Sequence, residues 1–174
     1  VYKRQILRDE TGQKLSKSLG NSPDPFDLFE EYGTDAVRFG IMLMAPQGLD
    51  VLFAKDRLEI GRNFMNKLWN ACRFVDMNAP ENWEKYEHLD YEFELADKWI
   101  LNKLIDAIKN YNSQLERFYF NEAAKVLYDF VWSDFCDWYI EIAKTRFYSE
   151  DIEKQVMTYD VCLRCIRIIL PLMH

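Results

Sequence analysis

Gly61-Arg62-Asn63-Phe64-Met65-Asn66-Lys67-Leu68-Trp69-Asn70-Ala71-Cys72-Arg73-Phe74-Val75 is the stretch that decides the fold. Phe64, Leu68, Ala71 and Val75, with Ile60 one turn earlier, recur every three or four residues, the spacing of one face of an α-helix. Arg62, Asn63, Lys67, Asn70 and Arg73 stand between them as a polar set. The pattern predicts a long amphipathic helix from Asp56 to about Met77, whose apolar stripe needs partner helices to cover it.

Downstream the same period returns three times. Leu101, Leu104, Ile105, Ile108, Tyr111 and Leu115 form a stripe within a helix expected over Leu95 to Phe118. Asn121 is the expected N-cap of the next helix, which runs to Tyr148 with Leu127, Phe130, Val131, Phe135, Trp138 and Ile142 on its apolar face. Gln155 to Leu170 is the last. Asn78 to Glu92, with Pro80, reads as a polar loop. Four amphipathic helices with short connections predict an antiparallel helical bundle, with the aromatic residues of the stripes, Trp138 included, in its core.

Upstream the elements are shorter. Ile6 to Asp9 reads as the end of a strand and Glu10-Thr11-Gly12 as a turn. Asp24 and Pro25 open a helix that Gly33 stops at Tyr32. Thr34 or Asp35 caps a second helix to Met44, Ala45-Pro46-Gln47-Gly48 breaks it, and Leu49 to Phe53 is extended. The fold class is therefore mainly α: a small connecting segment followed by the bundle.

Between the strand end and the first helix lies Lys14-Leu15-Ser16-Lys17-Ser18-Leu19-Gly20-Asn21. Two ammonium groups neutralise phosphate charge, and hydroxyls and free backbone N–H groups donate hydrogen bonds, so such a loop suits a polyphosphate. On chemistry alone the signal is weak, and a solvated basic turn is the safer reading.

The octapeptide resembles the KMSKS loop of class I aminoacyl-tRNA synthetases, with Leu15 in place of the usual Met, a swap that keeps apolar character and volume. The resemblance continues through Asn21-Ser22-Pro23-Asp24-Pro25, through Tyr32-Gly33-Thr34-Asp35-Ala36-Val37-Arg38, similar to the Gly-x-Asp-Ala-x-Arg stretch of the valine, isoleucine and leucine enzymes, and through the helix quoted above, similar to the entry helix of their anticodon-binding domain. Phe135-Cys136-Asp137-Trp138-Tyr139-Ile140-Glu141-Ile142-Ala143-Lys144 resembles the valine branch.

That resemblance implies an ATP-dependent ligase that activates valine and esterifies it to tRNA(Val), with ATP as substrate together with Mg2+, no metal site in this chain, and a cytoplasmic, monomeric enzyme. It implies that Lys17 and Lys14 act in catalysis, and that Lys14, Ser16, Lys17 and Ser18 bind ATP. Lys17 is the strongest contact, and Ser18 is expected to hold the loop's shape through a backbone bond. Arg62, Asn63, Lys67, Asn70 and Arg73 become the tRNA-binding candidates. Structural roles for the same side chains stay open. Residues 6–54 would end the catalytic half and residues 55–174 form the anticodon-binding bundle. The isoleucine branch, or a non-catalytic helical interaction module, are the alternative readings.

With 174 residues, the chain is several times shorter than a complete enzyme of this kind, and it is expected to be a piece inactive by itself. Val1-Tyr2-Lys3-Arg4-Gln5 matches one frame of a common sequencing adapter and reads as a scar, a divergent native strand being the other reading.

Composition narrows the rest. Apolar residues make up 49%, enough for a core. No apolar run reaches the roughly 18 residues of a membrane span. The net charge of −7 argues against a free-standing nucleic-acid module but not against one patch of a larger enzyme. Glu81, Glu84, Glu87, Asp90, Glu92, Glu94 and Asp97, against Lys85 alone, form an acidic stretch expected to face away from RNA. Cys162-x-x-Cys165, without a second pair or nearby histidines, reads as two small helix residues, as do Cys72 and Cys136.

Overall fold

A computed structural model describes residues 6–45, 48–86 and 92–173. The five opening residues, Pro46 and Gln47, residues 87–91 of the polar loop and His174 lie outside the described residues, so the scar reading and part of the acidic stretch do too. The fold is mainly α. The elements in order are β1 (Leu7–Arg8), α1 (Pro25–Tyr32), α2 (Thr34–Met44), β2 (Val51–Leu52), α3 (Lys55–Met77), α4 (Leu95–Glu116), α5 (Phe120–Asp129), a π-helical segment (Phe130–Tyr139), α6 (Ile140–Phe147) and α7 (Ile152–Met173), with 3-10 turns at Lys17–Leu19 and Trp83–Tyr86. They group into two compact units: residues 1–66 with 110–126, and residues 67–109 with 127–174.

In the first unit β1 and β2 pair in parallel, Leu7 beside Val51 and Arg8 beside Leu52. Asp50 fastens the pair at its edge, accepting from Arg8 Nε at 2.6 Å and from the Ile6 N–H at 3.3 Å. Asp24 caps α1 as expected, its carboxylate accepting from the Phe26 N–H at 2.9 Å. Neither Thr34 nor Asp35 caps α2, because Thr34 is already helical and the cap position falls to Gly33 at φ 89°. Leu28, Tyr32, Ala36, Val37, Phe53 and Leu58 make the core. Gly61 lets α3 approach α2 closely: a Cβ there would lie 2.2 Å from the Ala36 carbonyl oxygen.

The end of α4 shows why the sequence misplaced the next cap. Phe118 takes φ 61°, the Phe118 N–H donates to the Leu115 carbonyl, and the Tyr119 N–H reaches back to Gln114 at 2.9 Å. This left-handed stop satisfies orphan carbonyls with a phenylalanine where glycine is usual. The chain then re-enters helix at Phe120, so Asn121 is no N-cap; its amide donates to Glu122 Oε1 at 3.0 Å.

In the second unit Leu68, Ala71 and Val75 are buried as the stripe predicts. The α4 stripe is rotated. Ile105 is exposed, and Asp97, Ile100, Leu104 and Ala107 face inward. Asp97 thus leaves the acidic surface stretch, because Tyr139 and Arg146 supply its hydrogen bonds inside.

The expected single helix from Asn121 to Tyr148 changes pitch in the middle. Ten residues, Phe130–Tyr139, are π-helical, with the Ile140 N–H donating to the Phe135 carbonyl. A turn closed by i→i+5 bonds holds more residues than an α-turn, so the apolar stripe slips along the sequence. Phe130, Val131, Phe135, Cys136, Tyr139, Ile140, Ala143 and Phe147 are buried, while Trp138 is 65% exposed and Ile142 also faces out. The expectation that Trp138 lies in the core is overturned by this slip. α7 starts earlier than expected because Asp151 caps it, accepting from the Lys154 N–H at 3.2 Å.

Candidate phosphate-binding loop and nucleic-acid face

The Lys14–Asn21 loop grows out of β1. Asp9 folds the chain back on itself: its Oδ1 accepts from the Thr11 N–H, the Thr11 hydroxyl and the Gln13 N–H at 3.0, 2.6 and 2.9 Å. Lys14 then bridges Arg8 antiparallel, and the Leu15 N–H donates to the Leu7 carbonyl at 2.9 Å. Leu15, at the position where the family motif carries Met, packs against the core of its unit. An apolar side chain there roots the loop, which is why the swap is tolerated.

Beyond Leu15 the chain makes one 3-10 turn, Lys17–Leu19, closed by Gly20 at φ 68°, where the Gly20 N–H donates to the Lys17 carbonyl at 3.2 Å. Lys14, Lys17 and Ser18 are exposed. Neither lysine side chain has an ionic or hydrogen-bond partner among the described residues, so both ammonium groups are available to an anion. Among the described residues the Ser18 hydroxyl meets no backbone group; it and the Ser16 hydroxyl lie 2.7 Å apart. Hydrogen bonds from the Thr11 hydroxyl and then the Asn21 amide hold the Asp9 carboxyl below its ordinary value.

Along α3 the five polar candidates separate. Arg62 lies in the first unit, its guanidinium 3.0 Å from both Glu59 carboxylate oxygens and 5.5 Å from the Tyr32 ring centre. Asn63 is exposed without a side-chain partner among the described residues. The other three lie in the second unit. Lys67 is ion-paired with Asp137 and stands 4.2 Å from the Trp132 ring centre. Asn70 and Arg73 are exposed, and neither has an ionic or hydrogen-bond partner among the described residues. One turn before Arg73, Trp69 is 71% exposed. The sequence did not single out Trp69, although its spacing off the apolar stripe was the available signal.

The cysteines are all free, and burial pushes the thiols up: Cys136 to about 11 and Cys165 to about 12. Among the described residues no group of three or more His, Cys, Asp or Glu side chains is placed to hold a metal ion. Among them, too, no helix is long and apolar enough to cross a membrane.

Two family profiles match the chain. Residues 1–54 match the class I tRNA synthetases (I, L, M and V), and residues 97–174 match the anticodon-binding domain of tRNA ligase. Curated relatives include the valine–tRNA ligase of Fusobacterium nucleatum, 49% identical over 90% of this chain and 18% of the relative. That of Syntrophotalea carbinolica is 46% identical over 99% of this chain and 20% of the relative. This chain spans about a fifth of the length of these relatives. Among solved structures, the Mycobacterium tuberculosis methionyl-tRNA synthetase in complex with methionyl-adenylate shares the fold over 95% of this chain and 34% of its own, with a TM-score of 0.74 and 23% identity. A LeuRS–tRNA–LeuAMS ternary complex from Agrobacterium radiobacter does so over 99% of this chain and 21% of its own, with a TM-score of 0.70 and 19% identity.

Proposed function

The chain belongs to the valyl-tRNA synthetase family of class I tRNA synthetases, and from that premise we propose that it works as a segment of a valine–tRNA ligase, supplying the loop that closes on ATP and part of the surface that receives tRNA(Val). The isoleucine alternative is not favoured, since the relatives matching most of the chain at 40–49% identity are valine–tRNA ligases. An interaction module with an incidental lysine loop is not favoured either, since both matched profiles are of tRNA ligases.

In this reading the valine carboxylate attacks the α-phosphorus of ATP and the bond to the bridging oxygen of pyrophosphate breaks. Negative charge builds on the departing pyrophosphate. Lys17 and Lys14 are the groups of this chain that stabilise it, as fixed positive charges that gain most in the transition state. Ser16 and Ser18 hydroxyls donate to the phosphates or to each other. Mg2+ accompanies the nucleotide, and no step is assigned to a metal held by this chain. A hydroxyl of the terminal ribose of tRNA(Val) then attacks the valyl carbonyl of the adenylate, the ester forms and AMP leaves. Residues 55–174 form the anticodon-binding part and residues 6–54 the end of the catalytic part. The enzyme acts as a cytoplasmic monomer.

The observation that carries the reading is the pair of exposed lysines, unpaired among the described residues, on a loop rooted by Leu15. Its test is valine-dependent ATP–pyrophosphate exchange by the full-length ligase. Lys17→Ala should lower the rate on the order of 10²–10³-fold, the usual loss for one charge-stabilising donor, with little change in the KM for valine. Lys14→Ala should lower it less. Normal exchange rates in both variants would remove ATP from this loop.

A further inference from the structure

Asn21 closes the lysine loop with every polar atom of its amide. Its Oδ1 accepts from the Ser16 N–H at 2.9 Å; its Nδ2 donates to the Lys14 carbonyl at 3.2 Å and to Asp9 Oδ2 at 2.8 Å. The segment from Ser16 to Asn21, which carries Lys17, is thereby drawn into a ring, and the ring is tied to the turn before it. Asp9 is equally committed, with one oxygen on Thr11 and Gln13 and the other on Asn21. Backbone bonds add little across this ring, since the 3-10 turn supplies only Leu19 to Ser16 and Gly20 to Lys17, each at 3.2 Å.

We infer that Asp9 and Asn21 are positioning residues for adenylation: a polar clamp that fixes where Lys14 and Lys17 leave the backbone. The inference rests on the ATP reading of the loop. Leu15 anchors the start of the loop to the core, and the Lys14 bridge to Arg8 and the Leu15 N–H to the Leu7 carbonyl hold its backbone there. Those bonds stop at Leu15, and it is the clamp that ties the following segment, with Lys17, back to them. The lysine arms still move, while their origins stay fixed, and catalysis by fixed charges is sensitive to displacement at the scale of 1 Å.

The chemistry of the pair allows a reciprocal test. In Asn21→Asp two carboxylates face each other across the clamp. In Asp9→Asn two amide N–H groups do. With both substitutions together the two groups trade places. The amide now stands on the turn side and donates to the carboxylate on the loop side, which keeps accepting from the Ser16 N–H; at the Lys14 carbonyl alone an acceptor oxygen replaces the donor, a cost the double variant shares with Asn21→Asp. The full-length ligase carries each variant. Hydrogen exchange, read by mass spectrometry on the peptide over residues 10–22, reports the clamp, and valine-dependent pyrophosphate exchange reports the chemistry.

Each single variant should speed amide exchange in that peptide. Each should lower kcat by about tenfold or more with the KM for valine within about twofold, and the double variant should recover most of both losses. Unchanged amide protection in the single variants overturns the clamp. Faster amide exchange with an unchanged kcat, while Lys17→Ala collapses the same assay, overturns the positioning role and leaves the ATP reading standing. If Lys17→Ala is also normal, the ATP reading falls and takes this role with it. A double variant no better than the worse single one shows that the two residues act apart and overturns the pairing.

Discussion

Arg146 Nη1 lies 2.6 Å from Asp97 Oδ1, and Asp97 is wholly shielded from solvent. The Tyr139 hydroxyl donates to the same oxygen at 2.7 Å, and the Glu94 N–H donates to Oδ2 at 3.0 Å. A second guanidinium nitrogen reaches Glu94 at 2.8 Å. The start of α4, the π-helical segment and α6 are thus joined through one carboxylate. A buried pair of this kind contributes little against a well-packed apolar replacement, but breaking it leaves an uncompensated charge inside. Arg146→Ala should destabilise by about 3–5 kcal/mol and Tyr139→Phe by about 1 kcal/mol, measured by denaturant unfolding. An Arg146→Ala loss below about 1 kcal/mol would mean that water reaches Asp97.

The π-helical segment sets the second expectation. Trp138 is an exposed indole beside the fully buried Tyr139. Trp138→Ala should therefore cost under about 1 kcal/mol, whereas a core tryptophan loses about 3–5. Tyr139→Ala should be the costly neighbour. The reverse order in thermal melts would restore the regular α-pitch and place Trp138 inside.

That contrast marks what the sequence could tell. The stripe Phe64, Leu68, Ala71, Val75 was readable because α3 keeps one pitch and apolar residues alone fill its inner face. The stripe through Phe135 was readable only as far as the pitch held; no residue type announces a turn closed by i→i+5 bonds. Asp97 was misplaced because hydropathy scores a carboxylate as surface whatever its partners, and Arg146 lies 49 residues away. Gly61 gave no sign of its task, since the carbonyl it accommodates belongs to Ala36 on another helix. The lysine loop was legible as a motif. Its clamp was not: Asp9 and Asn21 read as a strand end and a loop exit until their side chains met.

The buried thiols give the molecule an alkaline limit. An ordinary thiol ionises near 9.0, whereas burial holds Cys136 at about 11 and Cys165 at about 12. The folded state keeps these protons after the unfolded state has released them. Above the unfolded value the unfolded chain binds fewer protons, so stability falls as pH rises and stops falling only above the folded values. Denaturant midpoints should decline from about pH 9 to about pH 12. Cys136→Ala and Cys165→Ala together should lessen that decline, while the buried Cys162, whose thiol burial also pushes up, keeps part of it, and thiol reagents at about pH 8, below the ordinary thiol value, should label these positions at the rate of unfolding. Rapid labelling of the native chain would show the sulfurs open to solvent.

Arg73 is the remaining test, and it concerns RNA. Of the three basic candidates on α3, Arg62 is held by Glu59 and Lys67 by Asp137, while Arg73 projects from an exposed face with Trp69 one turn away. A guanidinium and an indole at that spacing suit an unpaired base: one ring to stack on it, one planar donor for its edge or its phosphate. If this face receives the anticodon, Arg73→Ala in the full-length ligase should lower kcat/KM for charging tRNA(Val) by about tenfold, while valine activation without tRNA is unchanged. Arg62→Ala should do less, since its charge is already matched. A phosphate contact would show as a tRNA affinity whose dependence on salt is flatter by about one unit of log–log slope in the variant. An edge contact would show as a loss that depends on the base at one anticodon position. Charging kinetics on anticodon variants decide between them. An Arg73→Ala enzyme that charges and discriminates those tRNAs as the parent does assigns the anticodon to another surface, and leaves Arg73 a solvated residue of the helix.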